Sequence, residues 1–267
     1  MATPLRRALS LAVGWLADRR IPRPLRGPLF RAYAHFYSVD LDEVLLPLAE
    51  HPSLTAFFIR RLKRGARPLD ESPAALLSPA DGRVLTAGPI SAADRITAKG
   101  RSFSLSELTG GLSDSIAKKG GSAWIVYLSP RDYHRVHAPT ACRLDEIRWL
   151  RGARRSVAPA VVARRPVLAE NERCALRLRT DHGPLIMVLV GALNVGRLRI
   201  VGQENGRDGP PASPRSFARG EELGRFELGS TVVLFAPAGG PTALPFGEGQ
   251  PILQGAQIGH CQPSPTS

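Results

Sequence analysis

The sequence predicts an α+β fold: a strand-rich core, sandwich-like or barrel-like, preceded by amphipathic helices at the N-terminus. Three observations carry that prediction. Apolar stripes at helical spacing occupy the first 68 residues, whereas short runs of branched and aromatic residues recur after Pro68, bounded by Gly, Pro or Asp. The 24 prolines and 26 glycines cut the chain too often for a long helical bundle. With 267 residues, 43% of them hydrophobic, the chain can bury a core of its own. It divides into a helical region, residues 1–68, and a β-rich region, residues 69–267.

The opening run Leu5–Ala17 is apolar, with Arg6 and Arg7 at one end and Asp18, Arg19 and Arg20 at the other. It is too short to cross ~30 Å of hydrocarbon as a helix and lacks the small-x-small pattern that ends a secretory signal. Leu5, Leu9, Ala12 and Leu16 fall near one helical face, which predicts an amphipathic helix. A second begins at Pro28, with Leu29, Tyr33, Phe36 and Tyr37 as its stripe. Residues 1–36 hold seven arginines and a single acid, Asp18. Basic, aromatic and amphipathic together describe a helix lying in a membrane interface; a surface helix packed on its own domain is the alternative.

Asp40 or Asp42 is positioned to cap a short helix through Val44 and Leu45, and Ser53 to cap another with Leu54, Phe57, Phe58 and Leu62 inward. Strands are expected at 83–87, 123–128, 144–150, 175–179, 185–190, 198–201 and 231–235. Thr180-Asp181-His182-Gly183 reads as the hairpin turn between two of them. Gly206–Arg219 (GRDGPPASPRSFAR) is a loop by composition, of the kind that stays mobile.

The formal charge of +13 comes almost wholly from arginine, since only Lys63, Lys99, Lys118 and Lys119 are lysines. A surplus of this size favours an anionic partner, either nucleic acid or an acidic membrane surface. Cys142, Cys174 and Cys261 are odd in number and far apart, which argues for buried packing residues in a reducing compartment.

Three segments hold residues that catalysis could use. Ser78-Pro79-Ala80-Asp81-Gly82 is a turn leading into a strand; by itself it reads as structure, with the aspartate serving the turn. In Tyr127–His137 (YLSPRDYHRVH), His134 and His137 stand three apart. An odd separation within a strand sends them to opposite faces, and no neighbouring Cys, Asp or Glu completes an obvious metal-ligand set. A base oriented by a carboxylate is the chemical reading, and a hydrogen-bonded structural histidine the plain one. In Glu227-Leu228-Gly229-Ser230-Thr231-Val232-Val233, the serine heads a β-branched strand and does not match the G-x-S-x-G elbow of a hydrolase. Glycine before serine suits a different reaction, because glycine tolerates the backbone angles that expose its carbonyl to the next hydroxyl. An acid, a histidine and a serine on separate segments are the parts of a nucleophile-activating triad, which also leaves a serine hydrolase open.

Taken together, the segments Phe57-Phe58-Ile59-Arg60-Arg61-Leu62, Arg67-Pro68, Ser78–Gly82, Tyr127–His137 and Leu228-Gly229-Ser230-Thr231 resemble the bacterial membrane-bound, pyruvoyl-dependent phosphatidylserine decarboxylases in order and spacing. Lys99-Gly100, Glu170-Asn171-Glu172-Arg173 and Leu189-Val190-Gly191-Ala192 match more weakly. The resemblance runs from about Arg31 to the C-terminal region. It implies that Ser230 attacks the Gly229 carbonyl and that the chain cuts itself there, giving a large chain 1–229 and a small chain 230–267. The small chain would then begin with a covalent pyruvoyl group made from Ser230, whose ketone forms an imine with the headgroup amine of phosphatidylserine; no metal is needed. Asp81 and His137 match the family's charge-relay pair, with His137 taking the Ser230 proton and Asp81 orienting it. His134 matches a second active-site histidine. The implied partners are the lipid substrate, an anionic membrane surface and the chain's own cleaved halves as a heterodimer, with a larger homo-oligomer left open, and not nucleic acid. Residues 1–68 become a membrane-association region and residues 69–267 the catalytic domain, peripheral on the cytoplasmic face of the cell membrane. A related decarboxylase acting on another serine-headgroup lipid would carry the same motifs. Gly206–Arg219 departs from the family pattern.

Overall fold

The computed structural model describes residues 15–91, 93–115, 120–192, 198–227 and 230–261. The first predicted helix lies mostly outside them, although residues 15–18 are helical. Helix α1 (Arg23–Tyr37) starts after Pro22 with a proline in its first turn and stops at Ser38, which adopts the left-handed conformation with φ 59°. Phe30 and Ala34 are its buried face, and the Phe30 ring stacks on Phe57 with centroids 4.7 Å apart. The predicted stripe therefore splits. Tyr33 turns inward and donates to the Pro130 carbonyl at 3.1 Å, while Leu29 and Phe36 face outward with Leu25.

The short helix expected at Val44 and Leu45 does not form. Asp40 Oδ1 instead accepts from the Asp42 N–H, an Asx turn, and Val44 forms a β-bridge with Leu62. Ser53 does cap a helix, α2 (Leu54–Phe58), accepting from the Ala56 N–H at 3.2 Å. The bridge to Val44 takes Leu62 out of that helix, which ends at Phe58.

Strands follow in chain order: β1 (Ala75–Leu77), β2 (Gly82–Pro89), β3 (Arg95–Ala98), β4 (Arg101–Ser104), β5 (Gly121–Leu128) and β6 (Arg135–His137). Next come β7 (Cys142–Leu150), β8 (Arg173–Thr180), β9 (Gly183–Gly191), β10 (Leu198–Ile200), β11 (Arg215–Phe217) and β12 (Glu222–Phe226). The last are β13 (Ser230–Pro237), β14 (Thr242–Ala243), β15 (Pro251–Ile252) and β16 (Gln257–His260). All seven expected strands are present, and Thr180 pairs with Gly183 across the expected hairpin turn.

One eight-stranded antiparallel sheet, in the order β11-β7-β8-β9-β13-β5-β2-β15, forms the frame. Its residues alternate between two cores. Trp124, Val126, Met187, Leu189, Val232 and Leu234 face a core roofed by the small sheets β1-β16-β14 and β10-β12-β6. Ile125, Ile186, Val188, Val233 and Phe235 face the other, roofed by the β3–β4 hairpin and helix α3 (Leu105–Thr109). Burial on both faces explains why these strands read as continuous apolar runs rather than as alternation.

The prolyl segment differs from its expectation. It is pinned along the open edge of β7: Asp208 Oδ1 accepts the Trp149 N–H at 2.7 Å, and Ile147 and Gly209 exchange backbone bonds of 2.9 Å. Arg215–Phe217 then continues the sheet as β11, which covers that edge. The three cysteines are unpaired and buried, as their spacing predicts.

Candidate active site

Strand register brings two of the segments to one end of the sheet. Tyr127 pairs with Arg83 on one side and Thr231 on the other, so Asp81 and Ser230 sit at the same end of β2 and β13, with β5 between them. Two strand spacings separate them, about 10 Å. The turn before β2 requires glycine: Gly82 has φ +159°, and a Cβ there would stand 2.3 Å from the Tyr127 carbonyl oxygen.

The histidine segment crosses from β5 to the layer above. The His137 N–H donates to the Pro79 carbonyl at 2.8 Å, which joins it to the Asp81 turn. The His134 carbonyl accepts from the Phe226 N–H at 3.0 Å, which joins it to the end of β12, four residues before Ser230. Ser230 shares its pleat face with Val232 and Leu234, the face roofed by β6 and β12. Its hydroxyl is fully buried and has no hydrogen-bond partner among the described residues. Gly229, the other half of the expected cleavage site, lies outside them.

Both histidines are held through Nδ1. His134 Nδ1 meets the Asp132 carbonyl at 2.8 Å, and His137 Nδ1 meets the Gly220 carbonyl at 2.9 Å. A carbonyl oxygen only accepts, so each Nδ1 carries the proton and each Nε2 keeps a lone pair. Both Nε2 atoms are buried and without a partner among the described residues. Burial lowers both pKa values, that of His134 to about 3, so the rings are neutral near pH 7. Only Arg135–His137 is strand; His134 precedes it, and the opposite-faces rule does not govern the pair.

Asp81 and His137 are not hydrogen-bonded to each other. The Asp81 carboxylate is gripped by Arg67, with Nε to Oδ1 at 2.8 Å and NH2 to Oδ2 at 2.6 Å, and by the Gln254 N–H at 2.8 Å. Arg67 also holds Glu43 with NH1 and NH2, both at 2.8 Å. Burial opposes the Arg67 charge, but the hydrogen bonds to the two carboxylates outweigh it and raise its pKa. Gly220, and not Asp81, fixes the His137 ring.

Several residues in this arrangement carry no functional mark in the sequence. Gly220 and Gln254 act through backbone atoms, which no side-chain pattern reveals. Arg135, between the two histidines, clamps Glu222 of β12 with bonds of 2.8 and 2.6 Å and reaches the Ile59 carbonyl. Phe58 packs on the His134 ring with centroids 4.0 Å apart. Asn171 Nδ2 donates at 2.8 Å to the carbonyl of Gly191, the residue paired with Ser230. Among the described residues, no group of three or more His, Cys, Asp or Glu is arranged to hold a metal ion.

A family model described as phosphatidylserine decarboxylase matches residues 54–260. A protein of Alkalilimnicola ehrlichii named phosphatidylserine decarboxylase proenzyme is 42% identical over 244 residues, covering 85% of this chain and 83% of its own. Proteins of the same name from Azotobacter vinelandii and Ectopseudomonas mendocina are 44% and 39% identical, over 85% and 95% of this chain and 84% and 94% of their own.

Proposed function

The chain belongs to the phosphatidylserine decarboxylase family, and from that premise we propose how its residues make it a self-processing, pyruvoyl-dependent carboxy-lyase. It converts phosphatidylserine to phosphatidylethanolamine and CO2. The observation that carries the mechanism is that the fully buried Ser230 hydroxyl, on the sheet face roofed by β6 and β12, and the buried Nε2 atoms of the neutral His134 and His137 have no hydrogen-bond partner among the described residues. Buried polar atoms are nearly always satisfied, so three left open in one region mark a reacting site.

In self-processing, His137 Nε2 takes the Ser230 proton as Oγ adds to the Gly229 carbonyl. The C–N bond breaks, the amine gains the proton, and an ester replaces the peptide bond. Removal of the Ser230 α-proton then breaks the Cβ–Oγ bond, leaving Gly229 as a carboxylate at the end of the large chain. Water displaces the nitrogen as ammonia and leaves a ketone at position 230. Asp81 stays ion-paired to Arg67, and its charge acts on His137 across the site, favouring the imidazolium that forms on proton uptake. The buried position of Ser230 fits this precursor role, because a dry site protects both the ester and the finished group. The pyruvoyl group supplies the electron sink that loss of CO2 from an amino acid requires. His134 enters turnover as a neutral imidazole: its open Nε2 first takes the proton that the headgroup amine loses and then delivers it to the reacting carbon.

The cut falls between β12 and β13, and this supports a heterodimer of the two halves. β13 pairs with β5 along eight residues and with β9 along six, so the small chain remains the centre of the sheet. Attachment to an anionic membrane surface on the cytoplasmic side is supported by the exposed Trp15, Leu16, Leu25, Leu29, Phe36 and Tyr37 and by the arginines among them. Each basic residue near such a surface contributes about 1 kcal/mol. Among the described residues no helix is long and apolar enough to cross a membrane. Within residues 1–68, the stretch 54–67 also walls the site.

Intact mass under denaturing conditions tests the mechanism. The expected result is a 38-residue small chain starting at position 230 with pyruvoyl in place of serine, and a single 28.8 kDa chain for Ser230→Ala. An active wild-type preparation of one uncut chain would refute it.

A further inference from the structure

Arg60 is a buried cation without a counter-ion among the described residues. It is 4% exposed, and NH2 donates to the Arg131 carbonyl at 2.7 Å and, at 3.4 Å, to that of Asp132. Nε and NH1 are buried and have no hydrogen-bond partner among the described residues. Among the described residues, the other buried arginines, Arg135 and Arg173, and the partly buried Arg67 are satisfied. Arg67 and Arg135 hold carboxylates, and Arg173 spends its three nitrogens on the carbonyls of Leu108, Asn171 and Glu107. The acids near Arg60 are engaged elsewhere: Asp81 by Arg67 and Gln254, and Asp132 by the N–H and hydroxyl of Ser129 at 2.6 and 2.7 Å. The Phe57 ring, 5.6 Å from the guanidinium carbon, offers a face but accepts no conventional N–H bond.

Leaving two charged donors dry and unpaired is costly, and a site that tolerates it points to an anion that arrives later. The location says which anion. The Asp132 carbonyl that Arg60 touches is the one that fixes His134, and Phe58, two residues earlier, packs on the His134 ring. We propose that Arg60 binds acidic oxygens of the substrate headgroup, resting on the decarboxylase reading above. A planar guanidinium with two open donors matches a pair of oxygens on one phosphorus or one carbon. The headgroup has both kinds: the phosphodiester it keeps and the carboxylate it loses. Anchoring either one holds the amine toward position 230, and the fixed positive charge disfavours a protonated amine, the form that cannot react.

The test uses full-length Arg60→Met and Arg60→Lys, after intact mass has established that each is cut. KM and kcat are measured on phosphatidylserine in mixed micelles. Inhibition constants are taken for glycerophosphoethanolamine, which has the phosphodiester without the carboxylate, and O-methylserine, which has the reverse. Arg60→Met should raise KM at least tenfold with kcat changed less than threefold, and Arg60→Lys should fall between it and wild type. Weakened inhibition by glycerophosphoethanolamine assigns the phosphodiester, and weakened inhibition by O-methylserine alone assigns the carboxylate. KM and both inhibition constants within twofold of wild type, in whichever variant is cut, would overturn the proposal. A cut and active wild type run alongside separates that failure from failure of the parent reading.

Discussion

The carbonyls of Asp132 and Gly220 set the chemistry of the two histidines, because each forces the proton onto Nδ1 and leaves Nε2 basic. Their lowered pKa values also make stability depend on pH. The folded pKa of His134 is about 3, against about 6.5 in an unfolded chain. The unfolded state therefore binds the extra proton first. The stability tied to the neutral ring is complete above about pH 6.5 and is lost as pH falls from there toward 3, by up to about 1.4 kcal/mol per pH unit. Denaturant midpoints measured between pH 7 and 4 should fall less steeply for His134→Gln than for wild type. Equal slopes would mean that the ring is not held neutral. Because burial lowers the His137 pKa, self-processing followed by the rate of chain cleavage should lose activity with acid only below the pH at which an ordinary imidazole protonates. Asp81 and His137 were legible as residues in their motifs, but their geometry was not. The Arg67 grip on Asp81 joins residues 14 apart in sequence, and the contact of Gly220 with His137 spans 83 residues.

Among the elements, β13 bears the most. It is buried on both faces, and Leu234 is almost wholly enclosed. Leu234→Ala should cost about 2–5 kcal/mol, read as a shift in denaturant midpoint at unchanged fold. After cleavage the same pairing predicts that the two chains co-elute under native conditions and separate only in denaturant; separation in native buffer would contradict the register. Six of the seven expected strands, β2, β5, β7, β8, β9 and β13, were legible because each runs for eight or nine residues with branched and aromatic side chains facing the cores; the seventh, β10, showed only as the short Leu198–Ile200 run. Short strands such as β6 and β11 were not, since three residues between polar or prolyl neighbours carry no period. The Asp40–Val44 turn went to side-chain bonding over helix for a related reason: an Asx turn is local, while the Val44–Leu62 bridge is tertiary.

Across the whole molecule, α1 has two apolar faces with different uses. Phe30, Ala34 and Tyr33 tie it to the body, and Leu25, Leu29 and Phe36 remain outside. Replacing those three together by Gln should abolish sedimentation with anionic vesicles while leaving chain cleavage intact. Full pelleting of the variant would assign the anchor elsewhere. Binding by wild type should weaken as salt rises, in proportion to the arginine contribution. The sequence by itself determined the strand-rich class, the main strands, the Ser53 cap, the hairpin at Thr180–Gly183 and the residues with reactive side chains. Each of these follows from local periodicity, from a turn requirement or from side-chain chemistry. Tertiary structure alone decided that Asp81 answers to Arg67, that backbone carbonyls orient both histidines, that the prolyl segment seals a sheet edge and that Arg60 has no counter-ion among the described residues. Those outcomes depend on which atoms meet across long stretches of chain, and on which polar groups burial leaves unsatisfied, and neither is encoded in any local pattern.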